Sequence, residues 1–101
     1  MLVYQITQTD VFSNWLSKLK DRRAVARVLV RIESLRLGNV GDSKSLGSGL
    51  HELRLNYGPG YRIYYTRRSG VVVLLLCGGN KSSQSRDILR ARKVLNEIRK
   101  E

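Results

Sequence analysis

One cysteine, one proline, one histidine, one tryptophan and eight acidic residues are all that this 101-residue chain has of those types. The lone Cys77 allows no intrachain disulfide, and with a single histidine beside it no Cys/His cluster for zinc can form. Cys77 reads instead as a small buried apolar side chain on a strand. The longest apolar run, Val71 to Cys77, falls far short of the ~20 residues that cross a bilayer. The opening Met-Leu-Val-Tyr-Gln-Ile-Thr lacks the basic stretch and long apolar stretch of a secretion signal. The expectation is therefore a soluble, cytoplasmic protein with no membrane partner, no metal and no cofactor. Internal repeats and low-complexity tracts are missing as well, which leaves one domain spanning 1–101.

What the chain has in excess is positive charge. Nineteen Lys and Arg stand against eight Asp and Glu, for a formal charge of +11. Such a field attracts polyanions: nucleic acid, an acidic membrane or an acidic protein. Residues 1–48 carry 8 basic and 4 acidic side chains, and residues 49–101 carry 11 and 4, so the excess leans toward the second half. An apolar fraction of 42% excludes a disordered basic tail and implies a packed core.

Periodicity predicts a β-α-α-β-β-β-α order. A short strand at 2–6 leads to a helix capped by Thr9 or Asp10, with Val11, Phe12, Trp15, Leu16 and Leu19 on one buried face. A break at Lys20-Asp21 opens a second helix whose stripe is Val25, Val28, Leu29, Ile32 and Leu35. The two form a helical hairpin. Arg22, Arg23, Arg27, Arg31 and Arg36 take the rest of the second helix, either as a solvated face or as a docking surface for an acidic partner or ribosomal RNA. Residues 38–49, with four glycines and no periodicity, read as a surface loop. Strands are expected at 50–56, 60–67 and 70–77, the last in the centre of the sheet because it does not alternate. A final helix should start near Ser82 or Ser83, with Ile88, Ala91, Leu95 and Ile98 inward.

The candidate site follows from folding the second and third strands over Gly58-Pro59-Gly60. If Leu53 meets Ile63 and Leu55 meets Tyr61, then Arg54 lies opposite Arg62, and like charges directly across a ladder destabilise it. Alternation groups Glu52, Arg54, Arg62 and Tyr64 on one face, with His51, Leu53, Leu55, Tyr61, Ile63 and Tyr65 on the other. Glu52 can neutralise one arginine only. Lys81 and Arg86 arrive at the start of the last helix, where free N–H groups and the dipole favour phosphate. A phosphate-binding site at Arg54, Arg62, Lys81 and Arg86 competes with a plain solvated basic face. For a general base, Glu52 has the location; His51 has the pKa but falls on the apolar face unless the strand slips by one residue.

At these residues the chain resembles a known family. Gly49-Leu-His-Glu-Leu-Arg-Leu, Gly58-Pro-Gly-Tyr-Arg-Ile-Tyr-Tyr and Leu75-Leu-Cys-Gly-Gly-Asn-Lys-Ser-Ser-Gln-Ser-Arg-Asp-Ile are similar to the RelE/ParE superfamily of type II toxin–antitoxin toxins. Within it the likeness is to the HigB-like addiction module killer branch, over essentially the whole chain. The resemblance implies an α+β RelE-like fold, a small twisted and mainly antiparallel sheet with an N-terminal helical hairpin and a C-terminal helix. It implies a metal-independent endoribonuclease (mRNA interferase) that cuts ribosome-bound message and is silenced by a cognate antitoxin, a small helix-turn-helix protein. By motif position Arg62 matches the family's phosphate-contacting arginine, Arg54 a basic position on the preceding strand, and Lys81 the basic residue after the central strand. Glu52 stands where many relatives have lysine, and no tyrosine follows Tyr65. A ParE-like gyrase poison without nuclease activity and a non-catalytic RNA-binding module are the alternatives.

Overall fold

The computed structural model describes residues 3–100. Its elements are β1 (Gln5–Gln8), α1 (Asp10–Ser17), α2 (Arg22–Arg36), β2 (Ser43–Gly47), β3 (Leu50–Leu55), β4 (Tyr61–Arg68), β5 (Val72–Asn80), a 3-10 turn (Lys81–Ser83) and α3 (Gln84–Arg99). The five strands form one sheet in the order β1-β5-β4-β3-β2. Only β1 and β5 run parallel; the other pairs are antiparallel. The α+β class, the helical hairpin, the mainly antiparallel sheet and the C-terminal helix are all as the sequence predicts.

Several boundaries differ, each for a local reason. β1 runs from Gln5 to Gln8, later than the 2–6 window, of which Leu2 lies outside the described residues. Tyr4 is instead buried, and its N–H donates to the Arg36 carbonyl at 2.7 Å. The stretch expected to be a loop holds β2, an edge strand whose only apolar residue is Leu46, which leaves too little pattern to read. The turn that joins β2 to β3 runs through Gly47, Ser48 and Gly49, all at positive φ. α3 starts one residue later than expected because Asn80 caps the 3-10 turn first, in a reciprocal box with Ser83. On α2 the buried residues are Ala24, Val28 and Leu35, whereas Leu29 is half exposed. The middle strand is β4; β5 lies between it and β1, covered on both faces as a non-alternating strand should be.

Two layers of side chains cover the sheet. On one face Phe12, Ala24, Val28 and Leu35 from the hairpin pack on Leu53, Leu55, Ile63, Tyr65, Val73 and Leu75. On the other, Ala91 and Leu95 of α3 pack on Leu50, Tyr64, Leu74, Leu76 and Cys77. Caps fix where the hairpin begins each helix. Thr9 Oγ1 accepts from the Phe12 N–H at 3.1 Å, and Asp21 Oδ1 from the Arg23 and Ala24 N–H groups at 3.0 and 3.2 Å.

A bulge in β5 decides what the site looks like. Tyr64 pairs with Cys77 but Tyr65 with Leu75, so Leu76 has no partner on β4. Its carbonyl accepts instead from the Thr9 hydroxyl at 2.6 Å. The extra residue shifts the alternation, so that Leu76 and Cys77 both join the α3 side. Beyond it Gly78 faces Trp15 and Gly79 faces Asp87, each so closely that a β-carbon would collide. Gly78→Ala should therefore force Trp15 from its seat and cost about 1–3 kcal/mol. A melting temperature lowered by several degrees is the expected result; an unchanged one would show that Trp15 is free to move.

Candidate functional site

Arg54 and Arg62 are direct cross-strand partners, with Leu53 opposite Ile63 and Leu55 opposite Tyr61, in the register expected. The row continues onto β5, where Arg62 pairs with Gly79. Having no side chain, Gly79 leaves room over β5 for the Asp87 carboxylate, which accepts from the Ser83 hydroxyl. The β3 end of the row is held through the backbone. The Arg54 N–H donates to the Asp42 carbonyl at 2.8 Å, and Arg31 Nη1 donates to the Arg54 carbonyl at 2.7 Å.

The two guanidinium groups differ in their partners. Arg54 Nη2 lies 3.3 Å from Asp42 Oδ1 at the half-exposed edge of the row. Arg62 reaches only the Gly60 and Tyr61 carbonyls, at 3.4 and 3.3 Å, and pairs with no carboxylate among the described residues. The Nε atoms of both are buried without a hydrogen-bond partner. Lys81 completes the group. A β-carbon on Gly60 would lie 3.3 Å from Lys81 Cβ and 3.6 Å from Arg62 Nη1, so Gly60, at φ 78°, lies between the base of the lysine side chain and the Arg62 guanidinium. Arg86 is exposed on α3, and no hydrogen bond or ion pair ties it to the cluster.

Of the two candidate bases, His51 lies on the apolar face as expected, whereas Glu52 does not stand among the arginines. Glu52 does not neutralise an arginine: it is 1% exposed beneath α3, and its Oε2 accepts from Gln84 Nε2 at 2.8 Å. Asp42 takes the ion-pairing role instead. Beside Glu52 the Tyr64 hydroxyl is buried without a hydrogen bond of ordinary geometry, and burial first, the Glu52 charge second, push its pKa far up. His51 pairs with Tyr65, so the one-residue slip that would bring it to the arginines does not occur. Its ring stacks on Tyr65 at 5.2 Å between centroids. Cys77, between α3 and the sheet, has its pKa pushed up to about 12 by burial first and by the Asp87 charge second, and remains a thiol.

Burial first, then the charge of Arg67, lowers the pKa of His51 from its ordinary 6.5. A folded pKa below the unfolded one means that the unfolded chain binds the proton first as pH falls. Stability linked to His51 is therefore full above about pH 6.5 and is lost as pH falls through the lower folded value. In a pH series of melting temperatures, His51→Phe, which keeps the stack, should lack this component. Superimposable profiles above pH 5 would contradict it.

The arginines of α2 divide. Arg22, Arg23 and Arg27 are exposed, Arg27 lying 4.4 Å over the Tyr57 ring. Arg31 is no part of a free docking surface, because its guanidinium is turned to the Arg54, Val40 and Asp42 carbonyls. Sequence reasoning missed Asp42, Gln84 and Asp87 as contributors. The signal for the last two was within the motif from Gly78 to Ile88. There Gly79 makes room, Lys81 places a cation, Gln84 holds Glu52, and Asp87 fills the space over Gly79. No three His, Cys, Asp or Glu side chains among the described residues lie together as a metal site would require.

The fold places the protein in a structural class. A mutant of Escherichia coli toxin RelE in the free state superposes with a TM-score of 0.74 at 16% identity, over 91% of this chain and 97% of that one. The RelBE2 toxin–antitoxin complex from Mycobacterium tuberculosis gives 0.64 at 22%, over 79% and 100%. A RelE mutant in complex with a peptide of the antitoxin RelB gives 0.54 at 19%, over 85% and 95%. The class is thus the RelE-like α+β fold. Within it, residues 14–99 match the family model "Phage derived protein Gp49-like (DUF891)", and the chain belongs to that family. It is also 47% identical over 97 residues to an uncharacterized protein of Haemophilus influenzae, covering 96% of this chain and 98% of that one.

Proposed function

We propose that this protein is the toxin of a type II toxin–antitoxin system and acts in the cytoplasm as an endoribonuclease on ribosome-bound message. The observation that carries the reading is Arg62, a cation without a carboxylate partner among the described residues, set against Arg54 and beside Lys81. A stability-minded fold would separate these charges or pair them. Support also comes from the fold, shared with RelE toxins whose structures include antitoxin complexes.

In the proposed reaction the message's own 2′-oxygen attacks the adjacent phosphorus. The bond to the 5′-oxygen breaks and that oxygen takes up a proton from solvent, leaving a 2′,3′-cyclic phosphate and a 5′-hydroxyl. Negative charge builds on the phosphate oxygens in the transition state, where Arg54, Arg62 and Lys81 stabilise it selectively. Arg86, on the outer side of α3, extends the positive field toward the flanking phosphates. With Glu52 sealed beneath α3 and His51 on the opposite face, the 2′-proton passes to solvent or to the ribosome. Ribosomal positioning of the message supplies the attack geometry.

The deciding experiment adds purified protein to programmed ribosomes and maps message ends by primer extension, with a gyrase supercoiling assay in parallel. New ends within ribosome-bound message, carrying 5′-hydroxyl groups, are expected. Blocked supercoiling with intact message would replace this reading with that of a gyrase poison. RNA retention with neither effect would leave a binding module.

A further inference from the structure

The helix α2 is apolar on more than the side it needs. Ala24, Val28 and Leu35 are buried against the sheet, and one such stripe suffices for a surface helix. Yet Val30 is 64% exposed and Leu29 50%. Ala26 and Val30 share with Leu55 and Tyr57 the floor of an open groove of about 460 Å³ between α2 and the β3–β4 turn. Arg23 and Arg27 form its rim, and no acidic side chain lines it. The α2 contributions at 23, 26, 27 and 30 follow the i, i+3, i+4, i+7 spacing of a single helix face.

The groove is preformed. Arg27 stacks on Tyr57, whose hydroxyl donates to Asp21 Oδ2 at 3.4 Å. Arg31 ties the helix to β3 through the Arg54 carbonyl. An apolar floor inside a charged rim marks a place where another molecule docks. Aliphatic side chains offer a phosphate backbone nothing, and one face of the Tyr57 ring is already taken by Arg27, so RNA fits poorly. A second copy fits no better, since each would bring a positive rim and a net charge of +11.

We propose that this groove seats an acidic amphipathic helix of the silencing partner, with apolar residues at i, i+3 or i+4, and i+7 on Val30 and Leu55, and carboxylates against Arg23 and Arg27. The proposal rests on the toxin reading for the source of that helix. It also separates the docking surface from the arginine row, which lies on the other face of the sheet.

The test co-expresses the full chain, carrying Arg62→Ala so that cells survive, with the protein encoded by the adjoining reading frame. Dissociation constants are then measured for Val30→Glu, Ala26→Glu and Arg27→Glu against the Arg62→Ala parent. Val30→Glu and Ala26→Glu are expected to weaken the complex about 100-fold or more, and Arg27→Glu about tenfold, at unchanged melting temperature. Slowed amide exchange at 23–30 and 55–57 in the complex should accompany this. A complex that forms equally well with all three variants overturns the groove assignment alone. Variants that lose RNA or ribosome binding while keeping the protein partner overturn it in favour of a nucleic-acid surface. If the adjoining frame's product does not bind the parent at all, the toxin reading fails along with the groove.

Discussion

Arg62→Ala is expected to cut message about 10²–10³-fold more slowly than the parent while melting at the same temperature or higher. The two halves of this result have one cause. Arg62 faces Arg54 directly across the ladder, has no carboxylate partner among the described residues and buries its Nε without a hydrogen bond. Folding therefore carries a like-charge contact and a desolvated donor, both of which disappear with the side chain. The reaction loses a fixed cation where phosphate charge accumulates. Arg62→Lys should recover only part of the rate, because an ammonium keeps the charge but not the planar fork. Single-turnover cleavage of ribosome-bound message, read beside thermal unfolding, decides. A destabilised variant of undiminished activity would make Arg62 a structural residue and remove the basis of the site.

Glu52 should behave in the opposite way. Its carboxylate is buried beneath α3 with the Gln84 amide as partner and the Tyr64 hydroxyl alongside. In Glu52→Gln the new side-chain carbonyl still accepts from Gln84, so cleavage within a few-fold of the parent is expected. Glu52→Ala leaves the amide and the hydroxyl facing a void, at a cost of about 2–4 kcal/mol. For a domain of this size that is a fall on the order of 10–20 °C in melting temperature. The rate per folded molecule should survive. If Glu52→Gln instead folds normally and loses activity by orders of magnitude, the carboxylate is the proton acceptor after all, and α3 must lift during catalysis to expose it.

Much of this site is legible in the sequence. Gly58-Pro59-Gly60 between two alternating strands pins the register, and a side-chain period of two then leaves Arg54 and Arg62 no choice but to face each other. The same alternation puts His51 on the apolar side, where it stacks on Tyr65. What alternation cannot tell is which part of a face lies open. Glu52 and Arg54 share a face two residues apart, yet α3 covers the first and stops short of the second, a matter of where a helix from the other end of the chain comes to rest.

Local chemistry in the sequence, then, determined every α-helix and every strand but β2, together with the hairpin register and the excess of charge, because turn residues and periodicity act over a few positions. The tertiary structure alone decided the rest. It turned Ser43–Gly47 into an edge strand by supplying β3 as a partner, and through the β5 bulge it aimed Gly78 at Trp15 and Gly79 at Asp87. It drew Arg31 inward to distant carbonyls and left Val30 in the open. Each outcome depends on contacts between residues far apart in the chain, and a pattern read within one segment carries no information about what will be packed against it.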